Sequence, residues 1–72
     1  MDAAEAALRV LSEDAGAELH WTVVWDRALR AGYVDPIAEP DARDRFIKAL
    51  ADAARTGGIE RTSTGTYRWT GG

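Results

Sequence analysis

The chain has no cysteine, two prolines and a single histidine among its 72 residues. The first absence removes a disulfide framework, a thiolate zinc site and a cysteine nucleophile together, and suits a reducing, cytoplasmic setting. His20 stands alone, so no second metal ligand lies at useful spacing and no serine, histidine and carboxylate set is evident. There is no glycine-rich phosphate loop and no paired-carboxylate cleft, and a chain this short has little room for an enclosed pocket. The sequence points away from an enzyme, a cofactor and a small-molecule substrate. No apolar run approaches the roughly 18 residues of a membrane span, and "MDAAEAALRV" is acidic and amphipathic where a signal peptide is basic and then apolar. With no repeat or low-complexity tract, residues 1–72 read as one domain with its core over about 3–70 and a frayed Gly-Gly tail. Met1 and the early helix suit an intact N-terminus, whereas the Gly-Gly end equally suits the edge of a domain in a longer chain.

What is present is a high share of apolar residues, 46%, with three tryptophans. In so small a domain each large apolar side chain counts heavily toward the core. The net charge is −3, which at first sight opposes a phosphate-rich partner. That total conceals a gradient: residues 1–18 carry five acids and one arginine, whereas residues 41–72 carry six cations against four acids. Positive charge is concentrated in the second half.

Apolar spacing predicts a first helix over Ala3 to about Asp14, capped by Asp2, with Ala4, Ala7, Leu8 and Leu11 as its buried stripe. Ala17 to His20 reads as a short extended link that could add an edge strand. Trp21, Val24, Trp25, Ala28 and Leu29 then share a helical face up to Gly32. "YVDPIAEP" breaks any helix, and Pro40 can serve as the first residue of a third one, where no N–H donor is needed. That helix, Asp41 to Thr56, would bury Phe46, Ile47, Leu50, Ala53 and Ala54. Beyond Gly57-Gly58, alternation about a Ser63-Thr64-Gly65 loop predicts a hairpin with Ile59 facing Trp69, Glu60 facing Arg68 and Arg61 facing Tyr67. The expected fold is α+β, in the order α-β-α-α-β-β of a small winged helix-turn-helix with a C-terminal β-hairpin wing.

Leu19-His20-Trp21, the Arg27-to-Gly32 helix ending and the Gly65-to-Trp69 hairpin ending together resemble the HARE-HTH family over about residues 3–70. The resemblance implies a winged helix-turn-helix in which His20 belongs to the strand-to-helix step. It also implies one of two functions, because similar domains include DNA-binding modules and the acidic delta subunit of bacterial RNA polymerase, whose domain contacts protein.

If the partner is duplex DNA, the third helix is the recognition helix of a transcription or DNA-transaction module. Its outward face holds Asp41, Asp44, Arg45, Lys48, Asp52 and Arg55. Two readings stay open: a solvated face laced by pairs four residues apart (Asp41–Arg45, Asp44–Lys48, Lys48–Asp52), or a face on which Arg45, Lys48 and Arg55 reach phosphates or a guanine edge. Arg43, near the buried stripe, could reach a backbone from the helix start. In the wing, Arg68 faces Glu60 and is expected to pair with it. Arg61, with Ser63 and Thr64 at the tip, is the best wing contact, while Ile59 and Trp69 serve the core. If the partner is a protein, Trp21, Val23, Trp25 and Tyr33 would make the contact patch.

Overall fold

The structure is a computed structural model that describes residues 1–71; Gly72, the last residue of the expected tail, lies outside them. Asp2 starts the fold by accepting a hydrogen bond from the Glu5 N–H at 2.8 Å, which caps α1 (Ala3–Glu13). This satisfies one of the amide donors that a helix start leaves free. The buried residues of α1 are Ala3, Ala6, Ala7, Val10 and Leu11. The expected stripe was rotated: Ala4 is exposed and Leu8 only half-buried. Four alanines make α1 apolar around much of its circumference, so the adjacent Val10 and Leu11, which have most area to bury, decide which side turns inward.

The extended link does form an edge strand, β1 (Leu19–His20), and leads without a gap into α2 (Trp21–Ala31). His20 is the N-cap of α2: its Nδ1 accepts the Thr22 N–H at 3.3 Å and lies 2.8 Å from the Thr22 hydroxyl. A neutral ring with its proton on Nε2 satisfies both contacts. Val24 and Ala28 are the buried residues of α2, and Leu29, expected in the same stripe, is 37% exposed. Gly32 ends the helix in the left-handed region at φ 77°, where its N–H and that of Tyr33 bond back to carbonyls of the last turn. In the following loop the Asp35 carboxylate accepts the Ile37 N–H at 3.0 Å and the Ala38 N–H at 3.3 Å.

Helix α3 spans Ala42–Thr56, so it begins two residues after the expected Pro40, which lies in the preceding turn. Asp41 occupies the cap position but makes no side-chain cap bond; its carboxylate is turned to Arg45 at 3.0 Å. Ala42, Phe46 and Leu50 are buried, with Ala53 and Ala54 packed partly against the core. Ile47 was expected with them and is only half-buried. At about 100° per residue it stands a quarter-turn from Phe46. Phe46 is the largest fully buried side chain, and Trp25 meets it edge-on at 5.2 Å between ring centroids, an arrangement that aromatic quadrupoles favour.

Strands β2 (Ile59–Ser63) and β3 (Thr66–Trp69) form the hairpin, and β1 joins β3 on its other side, giving an antiparallel sheet in the order β1-β3-β2. Ile59–Trp69, Glu60–Arg68 and Arg61–Tyr67 pair as the alternation predicts. The turn is shorter than the expected three-residue loop: Ser63 pairs with Thr66, Thr64 and Gly65 make the turn, and a bulge between Arg61 and Ser63 absorbs the extra residue. Tyr67 is 5% exposed and belongs to the core, together with Ile59 and, partly, Trp69. These elements make a winged helix-turn-helix of α+β class, with α1 and α3 in extensive contact and the hairpin closing the end of the core. No helix among the described residues is long and apolar enough to cross a membrane.

Gly65 ties the two halves together. Its carbonyl accepts the Trp21 N–H at 2.8 Å, and its Cα is packed so closely that an added Cβ would lie 2.8 Å from His20 Nε2 and 3.2 Å from Trp21 Cδ1. Its φ of 75° also disfavours any side chain. Gly57 shares a positive φ of 94° but faces open space. Urea denaturation should therefore show Gly57→Ala losing about 1–2 kcal/mol from backbone strain and Gly65→Ala losing roughly 1–3 kcal/mol more from displacing the ring. Equal losses at the two glycines would mean that the His20 contact does not constrain the turn.

Candidate nucleic-acid interface

Six of the nine lysines and arginines are held by acids. Outside α3 and the hairpin all are engaged: Arg9 with Glu13 at 3.4 Å, Arg27 with Asp14 at 2.9 Å and Arg30 with Asp26 at 2.8 Å. On α3, Arg45 is bracketed by Asp41 at 3.0 Å and Glu39 at 3.7 Å, and Arg55 pairs with Asp52. Arg68 holds Glu60 across the hairpin at 2.6 Å, as the register predicts. All these pairs are solvent-exposed, so each contributes only tenths of a kcal/mol. Their main effect is to neutralise charge locally.

Three cations remain without an ion pair among the described residues: Arg43, Lys48 and Arg61. Of the three pairs expected along α3, only Asp41–Arg45 forms. Asp52 goes to Arg55 instead of Lys48, consistent with the wider, forked donor set of a guanidinium. Lys48 and Asp44 are both exposed and unpaired. The unneutralised positive charge thus lies on α3 and the strand that follows it.

Arg61 sits differently from a residue at a wing tip. Its parity in β2 places it on the same side of the sheet as Ile59 and Tyr67, and its side chain reaches toward α3. With Ala51, Ala54 and Arg55 it lines an open cleft of about 310 Å³ between α3 and β2. The tip itself carries Ser63 and Thr64, both exposed, and no cation. Arg45 and Lys48 line the other side of α3, in a second open cleft of about 400 Å³ against Ala4 and Leu8 of α1. Arg43 is exposed on the first turn of α3. The cations are thus spread over both flanks of α3 and beside β2, positions from which phosphates can be contacted.

Two residues of this surface were missed by sequence reasoning. Ala51 and Ala54 carry no charge, and only the pairing of β2 with β3 brings Arg61 against them. Thr62 sits in the bulge with its hydroxyl buried and without a protein hydrogen-bond partner, a consequence of the register shift that no local pattern announces.

The alternative contact residues are largely engaged within the domain. Trp25 packs on Phe46 and Trp21 against the Gly65 turn, both half-buried. Tyr33 donates its hydroxyl hydrogen bond to Glu13 Oε2 at 2.7 Å, with the Arg9 guanidinium 5.7 Å from its ring centroid. Val23 is the freely exposed member of the set, at 40%. Comparison with protein-family models, curated proteins and solved structures returned no match.

Tyr33 provides a direct check of this local geometry. The hydrogen bond to Glu13 raises its pKa above the ordinary 10.0, aided by desolvation and the Glu13 charge and opposed by Arg9. A raised folded-state pKa means that the contribution to stability is whole below pH 10 and is lost as pH climbs through the shifted value. Absorbance titration of tyrosinate in a Tyr67→Phe background should place the Tyr33 midpoint above 10, and Glu13→Gln should bring it down. A midpoint indifferent to Glu13 would contradict the contact.

Proposed function

We propose that this chain is a cytoplasmic winged-helix module of HARE-HTH type that binds duplex DNA through its phosphate backbone, as an accessory domain in transcription or another DNA transaction. The observation that carries this reading is the distribution of free charge: Arg43, Lys48 and Arg61 are the cations without an ion pair among the described residues, and all lie on α3 or β2. Arg45, Arg55 and Arg68 are already held by acids and would contribute only by exchanging a carboxylate for a phosphate. Ser63 and Thr64 would add neutral hydrogen bonds from the wing turn.

Three phosphate contacts make a weak, salt-sensitive binder. The slope of log K against log salt should be roughly −0.9 for each phosphate neutralised, or about −2.7 in all. Anisotropy of a labelled duplex at low salt should show this slope, and Arg43→Ala/Lys48→Ala/Arg61→Ala should abolish binding while Arg27→Ala/Arg30→Ala leaves it in place. Absence of binding, or binding indifferent to the triple substitution, would overturn the proposal. The competing reading is an acidic domain that docks on a larger protein assembly, such as an RNA polymerase, through Trp21, Val23, Trp25 and Tyr33. It is favoured by the pI of about 4.9 and by the exposure of Val23 between two tryptophans. Val23→Asp separates the two, because it would disrupt that docking and spare DNA binding.

A further inference from the structure

The outer surface of α3 has an order that its charges alone conceal. Arg43, Ile47, Ala51 and Arg55 follow one another at intervals of four and form a single ridge along the helix. Arg43, Ala51 and Arg55 are exposed and Ile47 is half-exposed. A cation therefore stands at each end, with two apolar side chains between. Ile47 is absent from both the buried core and the apolar residues packed against it. Ala51 itself lines the cleft that Arg55 and Arg61 share.

The spacing fits a duplex. Twelve residues of α-helix rise about 18 Å, and the major groove is about 12 Å wide. A helix lying in that groove can thus set its two ends against phosphates while its middle meets the base edges. An apolar middle cannot accept or donate a hydrogen bond, and the one apolar feature that bases display in the major groove is the thymine 5-methyl group. Resting on the DNA-binding reading above, we infer that Ile47 and Ala51 contact thymine methyl groups and give the module a preference for thymine-containing duplex. Arg43 and Arg55 position the helix by phosphate contact, Arg55 through exchange of its Asp52 partner.

The experiment uses three duplexes of equal length: alternating A·T, the same sequence with deoxyuridine in place of thymine, and alternating G·C. Replacing thymine by deoxyuridine deletes only the methyl groups, so affinity should fall about fourfold for each methyl contacted, with the salt slope unchanged. Ile47→Ala should narrow the difference between the A·T and deoxyuridine duplexes by about fourfold for each methyl it no longer contacts, while retaining the helical circular dichroism of the parent. Ala51→Asn, at an exposed position outside the buried core, should weaken the same discrimination and guards against a folding defect in the first variant. Equal affinity of the parent for thymine and deoxyuridine duplexes, with salt-sensitive binding intact, overturns the inference and leaves the backbone-binding proposal standing. Failure to bind any of the three duplexes at low salt overturns both.

Discussion

The fold depends on one close contact, between the Gly65 turn and the entry to α2. Here the Trp21 N–H reaches the Gly65 carbonyl, the His20 ring lies against the Gly65 Cα, and Leu19 and His20 pair with Tyr67 and Thr66. A two-residue strand has little stability of its own, and a lone hairpin is marginal in water. Joined, they give a three-stranded sheet whose inner face places Leu19, Ile59 and Tyr67 in the core beside Phe46 and Leu50. Replacing the hydrogen of Gly65 by a side chain would displace the His20 ring from this contact. His20 has two duties at this point, capping α2 with Nδ1 and bounding the turn with Nε2.

Much of this architecture could be read from the chain because its punctuation is strong. Asp2, Gly32 and the Gly57-Gly58 pair mark element ends by mechanisms that act locally. Alternation in Ile59–Arg61 and Tyr67–Trp69 was enough for the correct cross-strand register. The facing of the helices was harder to read. In α1, alanine fits inside or outside with little difference in energy, so Ala4 and Ala6 look alike until Val10 and Leu11 are packed. In α3, Ile47 looked like a core residue by type, yet Phe46 and Leu50 fill the space available on that side.

The candidate interface was legible only by composition. Arg43, Lys48 and Arg61 were visible as cations, but which cations stay free depends on competition for carboxylates. That competition is settled by side-chain reach: Asp52 turns to Arg55 three residues on and leaves Lys48 alone. The meeting of Arg61 with Ala51 and Ala54 depends on sheet parity, a long-range property. Alternation had the information to place Arg61 on the inner side of the hairpin, since it shares that parity with Ile59. Its charge suggested a solvent-reaching finger instead.

The strand order β1-β3-β2 has a consequence for how the chain comes into being. The central strand is the last to be synthesised, so neither edge strand has a partner until Thr66 to Trp69 exists. The three helices can form and collide earlier, because their contacts need only the first 56 residues. Leu19 and Tyr67 close a long loop, so the pairing of β1 is a non-local contact, as is the packing of α1 on α3. Strand β3 is therefore the clasp of the sheet, because both β1 and β2 pair with it and not with each other.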